Sequence, residues 1–158
     1  MTKNNANSEA PKQPPTPNPA LRRLEKLVGT WDLKGRTPDS KDDNITGWNT
    51  FEWMPGGFFL KSSGEITFRG VKIQSLEIIA YDPASQTFPS SVYTNMSGAV
   101  LPYVWDVQGN TVTHWMDAAK YTGTLSDDGK TLTGGWRPVA GKASSENVAY
   151  DAVMTRVD

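Results

Sequence analysis

Short runs of aromatic and β-branched residues recur along most of this chain, and the segments between them are too short to hold a crossover helix. From Trp31 onward the runs are separated by turn sequences rich in Gly, Pro, Asn and Asp, as at residues 54–57, 108–110 and 127–130. Parallel strands need a connection of roughly a dozen residues, whereas antiparallel neighbours need only a tight turn. Successive strands are therefore predicted to pair as antiparallel hairpins. The candidate strands are residues 30–37, 45–53, 58–68, 71–82, 88–95, 100–108, 111–117, 119–126, 131–138 and 147–157.

A sheet built from this many hairpins leaves two exposed edges unless it closes on itself. We therefore expect an all-β fold, a closed antiparallel up-and-down barrel of about eight to ten strands with one short N-terminal helix. A β-sandwich is the alternative that the same pattern allows.

The one strong helix signal begins at Asn18, which can cap a helix, and at Pro19, which is favoured in the first turn. Gly29 favours an end to the helix. The spacing predicts a helix over residues 19–28. Its apolar face would contain Leu21, Leu24, Leu27 and Val28. A helix this short needs a surface to pack against, and the end of a barrel would provide one.

Residues 1–17 carry four of the eleven prolines and are otherwise mostly polar. Such a segment buries too little apolar surface to offset the entropy of ordering it. We expect a disordered tail over residues 1–17 and a barrel domain over residues 18–158.

Charge and composition exclude several classes of function. Sixteen Lys and Arg face seventeen Asp and Glu, which argues against a nucleic-acid partner because binding phosphates needs a basic surface. The absence of cysteine excludes disulfides and thiolate metal sites, and no metal site is predicted. No apolar run reaches membrane-spanning length, and the N-terminus lacks an apolar signal region. The predicted location is cytoplasmic.

The segment Gly29-Thr30-Trp31 stands where the helix meets the first strand. It resembles the G-x-W signature of lipocalins and other calycins, in which a short helix leads into a strand whose Trp plugs one end of the barrel. Those families place a basic residue from a late strand over the Trp ring, and Arg156 is the match here. The resemblance implies a structural plug made of Gly29, Trp31 and Arg156.

Two further segments, residues 53–60 and 80–83, carry an aromatic strand end with a Gly-Gly hairpin and a Tyr-Asp strand end. With the helix and the G-x-W segment, they resemble an uncharacterised calycin-like family of bacterial domains of unknown function. The resemblance covers residues 20 to about 137. It implies the fold and no activity.

A more distant resemblance is to the nitrobindin-like barrels, which bind haem through one histidine and carry a G-x-W-x-G-x-G pattern. This chain has Gly29, Trp31 and Gly35, but Leu33 stands where the middle glycine belongs. That departure weakens the haem hypothesis. No cofactor is expected, and haem bound through His114 is the alternative.

His114 is the only histidine, and alternation along its strand places it on one face with Val112 and Met116. If that apolar face points inward, the imidazole lies inside the barrel, where it could bind iron or exchange a proton with a ligand. The other interpretation is a core or rim histidine that is hydrogen-bonded to a neighbour.

Tyrosines and tryptophans on inward faces are the other candidate ligand-binding residues, because they combine an apolar body with a polar tip. With His114 and Met116, the predicted set contains Tyr103, Trp105, Tyr121, Trp136 and Tyr150. Gly123 and Gly134 share these faces, where glycine either leaves volume for a cavity or marks a bend or bulge in the strand. Alternatively, these side chains fill the core.

The leading functional hypothesis is a binding barrel for a small apolar or amphipathic molecule. The alternatives are haem binding through His114, an isomerase or cyclase that uses His114 and an interior tyrosine, and a filled barrel that acts through its surface. The chain lacks the nucleophile-elbow, P-loop and dinucleotide-binding motifs, so no catalytic residue is assigned.

Overall fold

All ten predicted strands form in the computed structural model, which describes residues 12–157. Seven of the ten strands agree with the sequence pattern to within two residues at each end. The strands are β1 (Gly29–Arg36), β2 (Ile45–Trp53), β3 (Leu60–Phe68), β4 (Val71–Ile79), β5 (Phe88–Thr94), β6 (Ser97–Gln108), β7 (Thr111–Trp115), β8 (Ala119–Leu125), β9 (Thr131–Pro138) and β10 (Tyr150–Arg156).

The larger differences lie in β4, which ends at Ile79 instead of at residue 82, and in β6 and β10, which begin at Ser97 and Tyr150 instead of at residues 100 and 147. Strand β6 starts earlier because Ser97 pairs with Thr94 across a tight turn. Strand β10 starts later because residues 139–149 form a loop. The side chain of Asn147 holds this loop by donating to backbone oxygens of the loop and of the β7–β8 turn.

Each strand pairs antiparallel with its neighbours in the chain, and β1 pairs with β10 to close the barrel. The closing register places Trp31 opposite Arg156 and Gly35 opposite Ala152. The predicted closed up-and-down barrel is confirmed, and the β-sandwich alternative is excluded.

The N-terminal helix forms over Pro19–Leu27, but it is a 3₁₀ helix. Asn18 caps it as predicted, because its side chain accepts a hydrogen bond from the backbone of Ala20. The three leucines are spaced by three residues, so a helix with three residues per turn places them in one row. All three leucines are buried, whereas Val28 lies beyond the helix in extended backbone.

The two ends of the barrel differ. We call the end covered by the 3₁₀ helix the plug end and the opposite end, which carries loops 37–44 and 139–149, the open end. The buried core lies toward the plug end and includes the helix leucines with Trp31, Phe51, Leu60, Ile79, Phe88, Val107, Val112, Leu125 and Leu132.

Residues 12–17 form neither helix nor strand, and half-buried Pro17 lies beside Gly57. Residues 1–11 of the predicted tail lie outside the described residues, so the disordered tail stays a prediction. Among residues 12–157, no helix is long and apolar enough to cross a membrane.

Candidate functional site

A cavity of about 670 Å³ occupies the interior of the barrel above the plug. It extends to the open end, where side chains of residues 142–148 line its mouth. This volume lies within the range of small-molecule sites.

Aromatic side chains form a continuous row across one wall of the cavity. Strand pairing places five inward residues as direct neighbours on β6 to β10, in the order Trp105, His114, Tyr121, Trp136 and Tyr150. Inward residues of paired strands lie side by side because side chains alternate with a period of two. We call these five residues the aromatic belt.

Glu77 of β4 is a buried carboxylate beside the aromatic belt, with 7% of its surface exposed. Its Oε1 accepts a hydrogen bond from Oγ of Ser90 at 2.6 Å and from Nε1 of Trp105 at 2.8 Å. Nε2 of His114 lies 3.0 Å from the same oxygen. A buried carboxylate needs such partners, because leaving it unpaired is strongly unfavourable.

These contacts decide the charge of Glu77. Burial raises the pKa of the carboxyl group, but the attraction of the His114 imidazole and the hydrogen bonds from His114, Ser90 and Trp105 outweigh burial. The pKa of Glu77 therefore lies below its usual range, and the side chain is a carboxylate at neutral pH.

The imidazole of His114 is fixed on two sides. Its ring stacks on Trp105 with 3.7 Å between centroids and 15° between planes, and Nε2 is directed at Glu77. The rings of Tyr103 and Trp136 approach it to 5.0 Å and 5.2 Å between centroids. The carboxylate sets the orientation of the ring and leaves Nδ1 as its other polar atom.

Glu77 and His114 each keep one polar atom without a hydrogen-bond partner in residues 12–157. Among the described residues, the fully buried side-chain nitrogen and oxygen atoms without a hydrogen-bond partner are Nε of Arg23 and Oη of Tyr121. Oε2 of Glu77 and Nδ1 of His114 have no partner in residues 12–157 either, so they keep contact with open space. Both residues line the cavity, and a ligand in the cavity can reach these two atoms.

Tyrosines complete the polar side of the cavity. Burial and the charge of Glu77 raise the pKa of Tyr103. Burial, with the proximity of Tyr103 and Tyr121, raises the pKa of Tyr150. Burial alone raises the pKa of Tyr121. All three are therefore neutral hydroxyl groups at neutral pH, able to donate and to accept hydrogen bonds.

The structure brings the predicted ligand-binding residues together. Every member of the predicted set lines the one cavity: Tyr103, Trp105, His114, Met116, Tyr121, Trp136 and Tyr150. Their role in binding stays a prediction.

The predicted plug residues lie together at the opposite end. Trp31 is buried, and its indole N–H donates to the backbone oxygen of Leu27 at 2.8 Å. The guanidinium carbon of Arg156 lies 4.2 Å from the centroid of the Trp31 ring, and this group also donates to the oxygens of Lys26 and Val28. Gly29 has a φ of 126°, a conformation that favours glycine, where the chain turns from helix to strand.

The interpretation of Gly123 and Gly134 as residues that leave volume is wrong. These glycines face each other on β8 and β9. A Cβ on Gly123 would collide with the ring and hydroxyl of Tyr121, and a Cβ on Gly134 would collide with the backbone of Thr122 and Gly123. They allow Tyr121 to fold over the sheet and the two strands to approach closely.

The sequence analysis missed Glu77, although the chain contains a signal for it. Alternation along β4 puts Ile73, Ser75, Glu77 and Ile79 on one face. A charged residue in phase with two isoleucines indicates an inward carboxylate, and such a group needs a partner. The only histidine, His114, was the natural candidate for that partner.

A second cleft, of about 970 Å³, lies on the outer wall near the open end. Two of its cationic side chains are already paired, Arg36 with Asp43 at 3.5 Å and Arg137 with Asp151 at 2.6 Å. The interior cavity combines aromatic walls with available polar atoms and is the better candidate site.

The family model described as "Protein of unknown function (DUF1579)" matches residues 16–114. The chain belongs to this family. The matched segment contains Trp31 and Glu77 and ends at His114. The predicted resemblance to an uncharacterised family of domains of unknown function is confirmed.

Among solved structures, the chain is similar to one titled "Crystal Structure of Rv2717c from M. tuberculosis". The TM-score is 0.60 at 16% identity, and the match covers 90% of this chain and 99% of that chain. At this identity the likeness shows the fold alone. No curated protein matches the chain. These comparisons do not connect the chain with the nitrobindin-like barrels, and that resemblance stays a prediction.

Proposed function

We propose that this barrel binds a small, flat, amphipathic molecule in its interior cavity. The observation that carries the proposal is the aromatic belt with the Glu77–His114 pair beside it, in a cavity of about 670 Å³. The cytoplasmic location and the lack of a nucleic-acid partner stay predictions from composition.

The shape of the ligand follows from the walls. Flat rings bury large apolar areas and pack well against flat partners, in stacked or edge-to-face geometry. Trp136 and Tyr121 already pack at 5.9 Å between centroids, and Tyr103 and Trp136 at 6.2 Å. A planar ligand could continue these contacts, with its polar end toward Glu77 and His114.

A fluorescent apolar probe tests the proposal. N-phenyl-1-naphthylamine, which is weakly fluorescent in water, should gain fluorescence on binding to the wild-type barrel. Ser75 points into the cavity, while its chain neighbour Leu76 is exposed on the outer wall. Ser75→Phe should weaken binding of the probe at least about tenfold by filling the space, and Leu76→Phe should not. Equal binding by both variants would contradict an interior site.

The haem alternative is less well supported by the contacts of His114. Iron coordination needs a free lone pair on an imidazole nitrogen; Nε2 is directed at Glu77, which leaves only Nδ1, the nitrogen crowded by the residue's own Cβ. Added hemin is therefore expected to give no Soret band that His114→Ala removes. A strong Soret band lost in this variant would favour the haem hypothesis instead.

The contact between Glu77 and His114 favours a second candidate, an isomerase or cyclase. A carboxylate that orients an imidazole is a common arrangement for a general base, and a neighbouring tyrosine could stabilise a developing oxyanion. The discriminating measurement is exchange of carbon-bound hydrogen in D₂O, followed by NMR on a cyclic enone. Exchange that depends on His114 would support an enzyme.

A further inference from the structure

Oε2 of Glu77 is a hydrogen-bond acceptor, and Nδ1 of His114 is a second one when the imidazole is neutral. Oε1 of Glu77 takes all three hydrogen bonds that the carboxylate receives, and Oε2 takes none from residues 12–157. When neutral His114 donates its Nε2–H to Glu77, Nδ1 carries a lone pair. A ligand that meets both atoms must therefore supply donors.

The charge around the cavity also favours a cation. Glu77 is the buried carboxylate of the cavity wall, whereas Glu65, which also lines the cavity, pairs with Lys72 at 3.3 Å. Aromatic rings surround the Glu77–His114 pair, and a cation is attracted to the face of such a ring. At the mouth, Lys142 pairs with Asp117 at 2.6 Å and is partly neutralised. The other titratable side chains that line the cavity are Tyr103, Tyr121 and Tyr150, with Glu65 and, at the mouth, Lys142 and Glu146.

We propose that the ligand is an arylalkylamine, bound as its ammonium cation, which donates hydrogen bonds to Oε2 of Glu77 and to Nδ1 of neutral His114. This inference rests on the proposed function and adds the chemical class of the ligand. The aromatic ring lies along the aromatic belt, and the ammonium group lies near the faces of Tyr103 and Trp136. An ammonium group on a short flexible arm offers three donors, which suits two acceptors and a tyrosine oxygen.

Three probes of similar size and different charge test the inference by calorimetric titration: 2-phenylethylamine, 2-phenylethanol and 3-phenylpropanoate. The amine, a cation at neutral pH, should bind at least about tenfold more tightly than the alcohol, and the carboxylate should bind most weakly. Glu77→Gln should bring the amine and the alcohol to nearly equal affinity. Glu52→Gln, which removes a carboxylate paired with Lys61 on the outer wall, should leave the preference unchanged.

A quaternary cation gives a measurement that does not rely on a folded Glu77 variant. Phenyltrimethylammonium has no N–H donor and tests the charge alone, and the wild type should bind it more tightly than 2-phenylethanol.

The outcomes separate the two proposals. Equal binding of amine and alcohol, or tighter binding of the carboxylate, would overturn this inference and leave the proposed function standing. Binding of the neutral probe N-phenyl-1-naphthylamine inside the barrel, without binding of 2-phenylethylamine or phenyltrimethylammonium, would do the same. Absence of binding for every probe, the naphthylamine included, would overturn both.

Discussion

At the scale of single residues, Glu77 determines the electrostatics of the interior. Its pKa lies below the usual value of 4.5 because the contacts with His114, Ser90 and Trp105 outweigh burial. A carboxyl group with a lowered pKa in the folded state stabilises the fold at pH values above its unfolded pKa. That contribution disappears as the pH falls below 4.5 through the lower, folded value.

Glu77→Gln should therefore lower the free energy of unfolding at neutral pH, by about 3 kcal/mol, since it removes one member of a buried pair. It should also flatten the loss of stability in acid, because the unfolded state no longer binds an extra proton at this site. Urea unfolding from about pH 7 to about pH 3 measures both effects. A variant that loses stability in acid as steeply as the wild type would contradict this role for Glu77.

Tyr121 carries a hydroxyl group that is fully buried and has no hydrogen-bond partner in the described residues. An unsatisfied buried group destabilises a fold, so its removal should help. Tyr121→Phe is expected to raise the free energy of unfolding by about 1 kcal/mol. Tyr93→Phe, which alters an exposed tyrosine on the outer wall, should leave it unchanged. A clear loss of stability in Tyr121→Phe would show that the hydroxyl has a partner.

Residue alternation was sufficient to predict the inward positions of His114 and the aromatic side chains, since the period of a strand is fixed by its geometry. It did not lead to Glu77, because a lone acidic residue in a strand is usually exposed. Its partners come from β5, β6 and β7, and pairwise contacts between strands are not encoded in the pattern of one strand.

At the scale of elements, Arg156 is one of several side chains that hold the 3₁₀ helix on the barrel, together with Arg23, which pairs with Asp106 at 3.3 Å. The Arg156 side chain covers Trp31 and donates to backbone oxygens of Lys26, Val28 and Gly129. The oxygens at the end of the helix need such donors, and the positive charge suits that end. One residue of β10 therefore joins the helix to two loops at the plug end.

Arg156→Met should lower the free energy of unfolding by about 2 kcal/mol, because it removes charged hydrogen bonds and the cation–π contact. Arg22→Met is the matched control, since Arg22 is largely exposed and pairs only with Glu25 at 3.5 Å. Thermal unfolding of both variants measures the difference. Similar melting temperatures for the two variants would argue against Arg156 as an anchor of the helix.

The pairing of β8 with β9 depends on glycine at position 134, where a Cβ would collide with the backbone of β8. Gly134→Ala should lower the free energy of unfolding by about 1–3 kcal/mol, as expected for overpacking. A Cβ at Gly98 would meet no atom within 4 Å, so Gly98→Ala should be neutral or slightly stabilising. Denaturant unfolding separates these expectations, and a neutral Gly134→Ala would contradict the close approach.

Asn18, Pro19 and Gly29 were sufficient to predict where the helix begins and ends. Its 3₁₀ geometry could not be predicted from the sequence. Leu21, Leu24 and Leu27 fit one face of an α-helix and one row of a 3₁₀ helix. Packing against Trp31 and the barrel end decides between them, and this information lies outside the helix sequence.

At the scale of the whole molecule, closure of the barrel and the plug together create an interior that opens at one end. Closure could be predicted because ten hairpin-linked strands without it leave two edges. The size of the cavity could not be predicted, since it depends on side-chain packing. Gly123, for example, admits the ring of Tyr121 instead of leaving space.

Binding inside this cavity is the central claim, and the indole N–H signals in a ¹H–¹⁵N NMR spectrum test it most directly. The six tryptophans sample the molecule, with Trp105 and Trp136 in the cavity wall, Trp48 exposed at the edge of the cavity, Trp31 and Trp53 toward the plug end, and Trp115 on the outer face. Saturation with N-phenyl-1-naphthylamine should shift the signals of Trp105 and Trp136 and leave those of Trp31, Trp53 and Trp115 in place. Shifts confined to Trp115, or unchanged signals from Trp105 and Trp136 at saturation, would contradict the account.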